Sequence, residues 1–240
     1  MRRLALLLTV VLIGAEAWAQ QTVTRTDRRV TTFNRGRQTT LGGGLEIGIP
    51  VGAFSDSWGR EIVGLSANMG VPMRLLPIDW GFDFAWGRMG GERDNVNLIN
   101  PSTPNQTGSL AVNCNVYSYH GLLRFKPFNG QVSPYGEVLA GFRHFTTRTE
   151  LRASGQSEPL EKDRRASDIA GSTGWAVGVQ VAPGNGMFYL EGRFERINSG
   201  KVSYVDPSSI VIASSGDVVF NTLSSPTRTA NVHLGIGFRF

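Results

Sequence analysis

Residues 78–87 read IDWGFDFAWG. Ile78, Trp80, Phe82, Phe84 and Trp86 occupy every second position, with Asp79, Gly81, Asp83, Ala85 and Gly87 between them. Successive side chains of a strand point to opposite faces, so this stretch predicts a strand with one large apolar face and one small or acidic face. A helix would scatter both sets around its circumference.

The same alternation recurs outward in both directions. Leu41, Leu45, Ile47, Ile49 and Val51 oppose Gly44, Glu46 and Gly48, and Val63, Leu65, Ala67, Met69 and Val71 oppose Gly64, Ser66, Asn68 and Gly70. Further segments follow at 112–125, 135–146, 174–181 and 188–195, and the last runs from Ala230 to Phe240. No window after the first twenty residues carries an apolar stripe of helical period, so the eight segments predict an all-β chain.

Alternation alone also fits a soluble antiparallel barrel or sandwich. Two features favour an inverted one. The connections at 72–77, 126–133 and 182–186 are short, whereas those at 88–111, 147–172 and 198–227 are long and polar; only 53–60 departs from this rhythm. Short turns at one end and long loops at the other mark transmembrane barrels. Second, the small face is rich in glycine, of which the chain has 30, while lysine is confined to Lys126, Lys162 and Lys201. Small residues relieve crowding inside a narrow barrel, whereas a solvated sheet face is ordinarily Thr-, Lys- and Glu-rich. The expected fold is an eight-stranded antiparallel up-and-down transmembrane β-barrel with short periplasmic turns and long extracellular loops.

The N-terminus supplies an address. Arg2 and Arg3 precede an apolar run from Leu4 to Ile13, and Ala17-Trp18-Ala19 follows as a small-x-small cleavage signal. That order reads as a signal peptide over 1–20, with a run too short for a helix that spans a bilayer. Residues 21–40 are Thr-rich and basic and read as a flexible periplasmic leader, leaving 41–240 as the barrel domain. The net charge of +5 resides entirely in these two segments: +1 from the signal and +4 from the leader, so 41–240 is neutral. A nucleic-acid-binding body would carry its own positive charge, so that class is excluded. Cys114, the single cysteine, excludes a disulfide framework and a CxxC site.

The chain ends NVHLGIGFRF, an alternating strand with a terminal aromatic. Here it resembles the Gram-negative outer-membrane β-barrels, most nearly the small eight-stranded OmpA-like and OmpX-like group. Its first hairpin, with Pro50, Gly52 and Phe54, is similar to that of the outer membrane protein beta-barrel domain families. The resemblance implies an outer-membrane location with both termini in the periplasm. It also implies that Leu234, Ile236, Phe238 and Phe240 form the signal read by the barrel-insertion machinery. Outer-membrane lipid is the implied surrounding, and Lys162, Arg164 and Arg165 are candidates for contact with lipopolysaccharide phosphates.

The phases send Glu46, Asp79, Asp83, Glu137, Glu191 and Glu195 inward with Arg124, Arg143, Arg193 and Arg239; His120 and His233 join them. An eight-stranded barrel has room only for side chains, so these charges are expected to pair. Arg124 and Arg239 are assigned to Asp79 or Glu137 near the periplasmic end, and Arg143 and Arg193 to Glu46, Asp83 or Glu191 above them. His144 with Ser167, Ser172 and Asp168 is the one grouping that invites a hydrolase reading, and it lacks tight spacing. His120, His144 and His233 lack metal-ligand spacing. The expectation is a non-catalytic barrel without cofactor or metal and with a structural or surface-interaction role. The alternatives are a porin-like protein passing small or hydrophobic solutes and a soluble periplasmic binding barrel.

Overall fold

A computed structural model of the chain describes residues 37–73, 76–98, 106–128, 130–154, 158, 161–183, 187–206, 209, 211–212 and 218–240. Residues 1–36, read above as the signal peptide and most of the leader, lie outside these. Eight strands carry the fold: β1 (Thr40–Pro50), β2 (Ile62–Pro72), β3 (Ile78–Leu98), β4 (Gln106–Phe125), β5 (Val132–Ala153), β6 (Glu161–Val181), β7 (Phe188–Val205) and β10 (Thr222–Arg239). Each pairs antiparallel with its sequence neighbour, and β10 pairs with β1, closing the barrel. A short helix, α1 (Ala53–Ser57), joins β1 to β2, and a small hairpin of β8 (Val211–Ile212) and β9 (Val218–Val219) lies between β7 and β10.

The hydrogen-bond register fixes the tilt. Followed across the sheet from Pro50, partners run Thr229, Ile197, Gly174, Leu139, Leu122, Gly81, Gly70 and back to Thr40. One circuit therefore returns ten residues lower on the same strand. That stagger is about 33 Å of strand against eight strand spacings of about 38 Å, which inclines the strands at about 40° to the axis.

The outer surface carries a belt of exposed large apolar side chains. It includes Leu45, Leu65, Phe82, Val138, Leu190 and Leu234, each more than half exposed. On β3 the belt runs from Ile78 to Trp86, nine residues, which at this tilt rise about 20 Å. Aromatic rings meet across it, Phe84 with Tyr119 at 5.2 Å, Tyr119 with Phe142 at 5.1 Å and Phe188 with Phe238 at 4.8 Å. Leu234, Ile236, Phe238 and Phe240 all stand outward in it.

The long connections are a correction to the sequence expectation. Most of 88–111 and 147–172 is strand: β3 to β6 have 21, 20, 22 and 21 residues, about twice what a membrane crossing needs. In this upper half polarity is reversed. Arg88, Arg93 and Arg148 face outward, while Met89, Leu110, Val112, Cys114, Val116, Phe145, Val202 and Tyr204 form an apolar cluster inside. A polar exterior with a mixed interior has the hydropathy of a loop. Register shifts at Arg88/Gly90, Thr147/Arg148 and Pro226/Arg228 sit near the changeover, and at the first the alternation of β3 flips, with Met89 facing in and Gly91 and Arg93 out.

Candidate functional site in the barrel interior

Behind the apolar belt the interior is polar, and the alternation of β3, β4, β5 and β7 brings the charged side chains together. Arg193 is the hub. Its Nη1 lies 2.6 Å from Asp83 Oδ1, its Nη2 2.5 Å from Glu195 Oε2 and its Nε 3.2 Å from Glu137 Oε2. Glu137 bridges to Arg124, whose Nε donates to Glu137 Oε1 and whose Nη2 lies 3.6 Å from Glu191 Oε1. The planar guanidinium fork suits such divergent pairing. Both arginines and all four carboxylates are buried.

Neutral groups complete the cage. Glu191 accepts from Tyr135 Oη at 2.6 Å, Asn68 Nδ2 at 3.0 Å and Gln180 Nε2 at 3.1 Å. Asn231 Nδ2 donates to Glu46 at 2.7 Å and to Glu195 at 2.6 Å. His120 and His233 bond to serines, Ser172 at 2.7 Å and Ser66 at 2.6 Å. Inward Gly178 and Gly237 leave room for the rings of Tyr135 and Tyr189. The cavity beside Glu46, Ser118, Arg143 and Asn231 holds about 10 Å³, about one water.

Three expected ion pairs are made differently. Arg239 reaches neither Asp79 nor Glu137; it lies over the Tyr189 ring at 5.5 Å, because at the strand's last residue it stands below both carboxylates. Arg143 makes no ion pair among the described residues. It sits at the top of the polar core and donates to Ser118 and Thr229 at 3.2 and 3.4 Å. Asp79 pairs with Arg37.

Arg37 and Lys126 lie outside the strand alternation, and no periodicity marks them as interior. Lys126, in the turn after β4 and outside the spanning strands, is buried and donates to Gln180 Oε1 at 2.8 Å. Burial, with the nearby Arg239 guanidinium, pushes its ammonium down to about 8, against the pull of Asp79. Among the described residues, with these two, the polar interior holds six acids, Glu46, Asp79, Asp83, Glu137, Glu191 and Glu195. It also holds six bases, Arg37, Arg124, Lys126, Arg143, Arg193 and Arg239. Alternation alone had left two acids in excess.

Charge inside, bare apolar surface outside, is the reverse of a soluble barrel, which fills its interior with apolar side chains. The side chains are sorted as in a transmembrane barrel.

No protein-family model matches the chain, and no curated protein matches it. Solved structures do. Neisserial surface protein A is 13% identical with a TM-score of 0.42, the match covering 84% of this chain and 97% of that one. Ail, the attachment invasion locus protein of Yersinia pestis, is 14% identical with a TM-score of 0.41, over 85% and 99%. A major outer membrane protein from Thermus thermophilus is 13% identical with a TM-score of 0.40, over 84% and 99%.

The hydrolase grouping is partly assembled. His144 Nε2 lies 2.8 Å from Ser167 Oγ on the outer wall, while Ser172 faces inward on His120. Asp168 is occupied by the backbone N–H groups of Ile169 and Ser203. Among the described residues no carboxylate bonds to His144, so the pair has no group to orient the imidazole. No cluster of metal-ligating residues occurs among the described residues. The side chains of Lys162, Arg164 and Arg165 lie outside them.

Proposed function

We propose that the chain is an integral outer-membrane barrel with a structural or surface-interaction role and no catalysis. One observation carries this: the apolar outer belt and the charged interior occupy the same level of the wall, and both reverse together above it. A lipid hydrocarbon layer at that level accounts for both, because it leaves the exposed Leu45, Phe82 and Leu234 in an apolar medium. A soluble barrel would expose that belt to water at a cost of about 25 cal/mol per Å².

In this reading the end with the chain termini and short turns is periplasmic, as an even strand count requires when both termini share a side. The long hairpins then face outward from the cell. The cage around Arg193 and Arg124 fills the bore, which supports a wall or display role over axial solute passage. The test is membrane fractionation with a gel run before and after boiling. Extraction only by detergent and a mobility shift on boiling are expected; extraction in buffer alone, without a shift, would overturn the proposal. Planar-bilayer recording is expected to show no reproducible conductance steps.

A further inference from the structure

The wall is not equally tall all round. The pairing of β2 with β3 reaches up only to Val63 and Arg88, and that of β1 with β10 only to Pro50 and Thr229. β3 continues up to Leu98, and β10 enters from Thr222 above that level. The upper wall thus has a gap one hairpin wide, and α1 fills it. Phe54 is fully buried there and Trp58 nearly so, edge-on to Tyr204 at 5.6 and 5.7 Å. Behind them lie Ile62, Met89, Cys114 and Phe145.

Three observations mark this segment as separable. Its hydrogen bonds are internal: Asp56 N to Gly52 O, Trp58 N to Phe54 O and Ser57 Oγ to Ala53 O. Val51, just before it, gives the last tie to the wall, through Arg228 O. It is bounded by Gly52 and Gly59, both at φ +63°, where glycine turns without the strain of a Cβ. Trp58 Nε1 is buried with no acceptor among the described residues, so the closed position leaves a donor unsatisfied. Around the gap Arg60, Arg88 and Arg228 are exposed, against Asp56 and Glu61 in the same loop.

We infer that α1 is a lid, and that the chamber occupied by Phe54 and Trp58 takes a single acyl chain whose anionic head meets Arg60, Arg88 and Arg228. The inference rests on the outer-membrane reading, which sets this gap just above the lipid. The space that Phe54 and Trp58 fill is walled by apolar side chains and opens only when they leave it, and three arginines stand at its rim, so an amphiphile with a carboxylate or phosphate head fits both parts.

Cys114, the sole cysteine, lies inside the chamber and reports its opening. In nanodiscs, N-ethylmaleimide is expected to label Cys114 in the folded protein. Gly52→Ala with Gly59→Ala, which strains the closed turn, is expected to speed labelling about tenfold. Palmitate bearing a diazirine is expected to photolabel Met89, Cys114 or Tyr204, and Arg88→Gln with Arg228→Gln to reduce this labelling severalfold. The same diazirine chain on phosphatidylglycerol identifies the source: labelling by the free acid alone indicates a diffusible amphiphile, labelling by both a membrane lipid. A Cys114 that stays silent in all variants, or photolabel confined to belt residues such as Leu65 and Phe82, would overturn the proposal. Equal chamber labelling by an uncharged diazirine alkane would overturn the role of the arginines. The boiling gel on the same sample separates these outcomes from failure of the barrel to sit in a membrane.

Discussion

Arg37 donates from Nη2 to Oδ1 of Asp79 at 2.5 Å and from Nη1 to the carbonyl of Leu76 at 3.0 Å. The residue comes from the end of the basic leader, three positions before β1 begins, and its side chain is almost fully enclosed. The leader therefore supplies the countercharge for the lowest carboxylate of the interior. Thr39 and Phe240, which exchange backbone hydrogen bonds at 2.9 and 3.0 Å, hold the approach to β1 and the residue after β10 on the same rim.

Arg37→Gln is expected to destabilise the barrel by about 1–3 kcal/mol by leaving Asp79 buried without its partner. Adding Asp79→Asn should recover much of that loss. Urea-induced unfolding in phospholipid vesicles measures both, and two effects that simply add would show that the contact carries no coupling.

Arg193→Met should cost more, about 3–5 kcal/mol, since it strands Asp83, Glu137 and Glu195 together without their shared cation. The same unfolding titration reads this. A loss below about 1 kcal/mol would mean that the cage is solvated rather than closed.

Leu45→Arg places a charge in the middle of the outer belt and is expected to cost about 2–4 kcal/mol in a bilayer. Thr222→Arg, exposed on the upper wall, should stay within about 0.5 kcal/mol. Equal effects in vesicles would contradict the assigned level of the hydrocarbon layer.

Lys126 gives a pH signature. Its folded pKa of about 8 lies below the ordinary lysine value near 10.5. The folded state thus binds fewer protons than the unfolded one between those values, and stability should rise with pH across that window. Below pH 8 both states hold the proton and the full penalty remains. Lys126→Met removes the penalty, so its advantage over the wild type should be largest below pH 8 and shrink toward pH 10.5. A pH-independent difference would show that Lys126 is not desolvated.

Strand phase was legible in the sequence because a belt against lipid and a cage of charges differ at every step: Trp80, Phe82 and Phe84 against Asp79, Gly81 and Asp83. Strand length was not. Once Arg88 and Arg148 turn outward and Met89 and Cys114 inward, the contrast between faces inverts, and bulges break the period at the same level. The site was legible where charges sat on strands, as with Arg193, Asp83 and Glu195. Arg37 and Lys126 left no trace because the turns that swing them inward have no periodicity, and Asn68 and Gln180 read as ordinary small-face polar residues.

The closing seam also bears on when the molecule can form. Glu46 and Asn231 bond across it at 2.7 Å, 185 positions apart along the chain. Every other wall seam joins neighbouring strands, but this one must wait for β10 and bear the loop-closure entropy of those 185 positions. Assembly should therefore be slow and end in one late zippering event. Until it occurs β1 and β10 stand as open edges able to pair with other chains, which makes the eighteen residues of β10 the natural point of control.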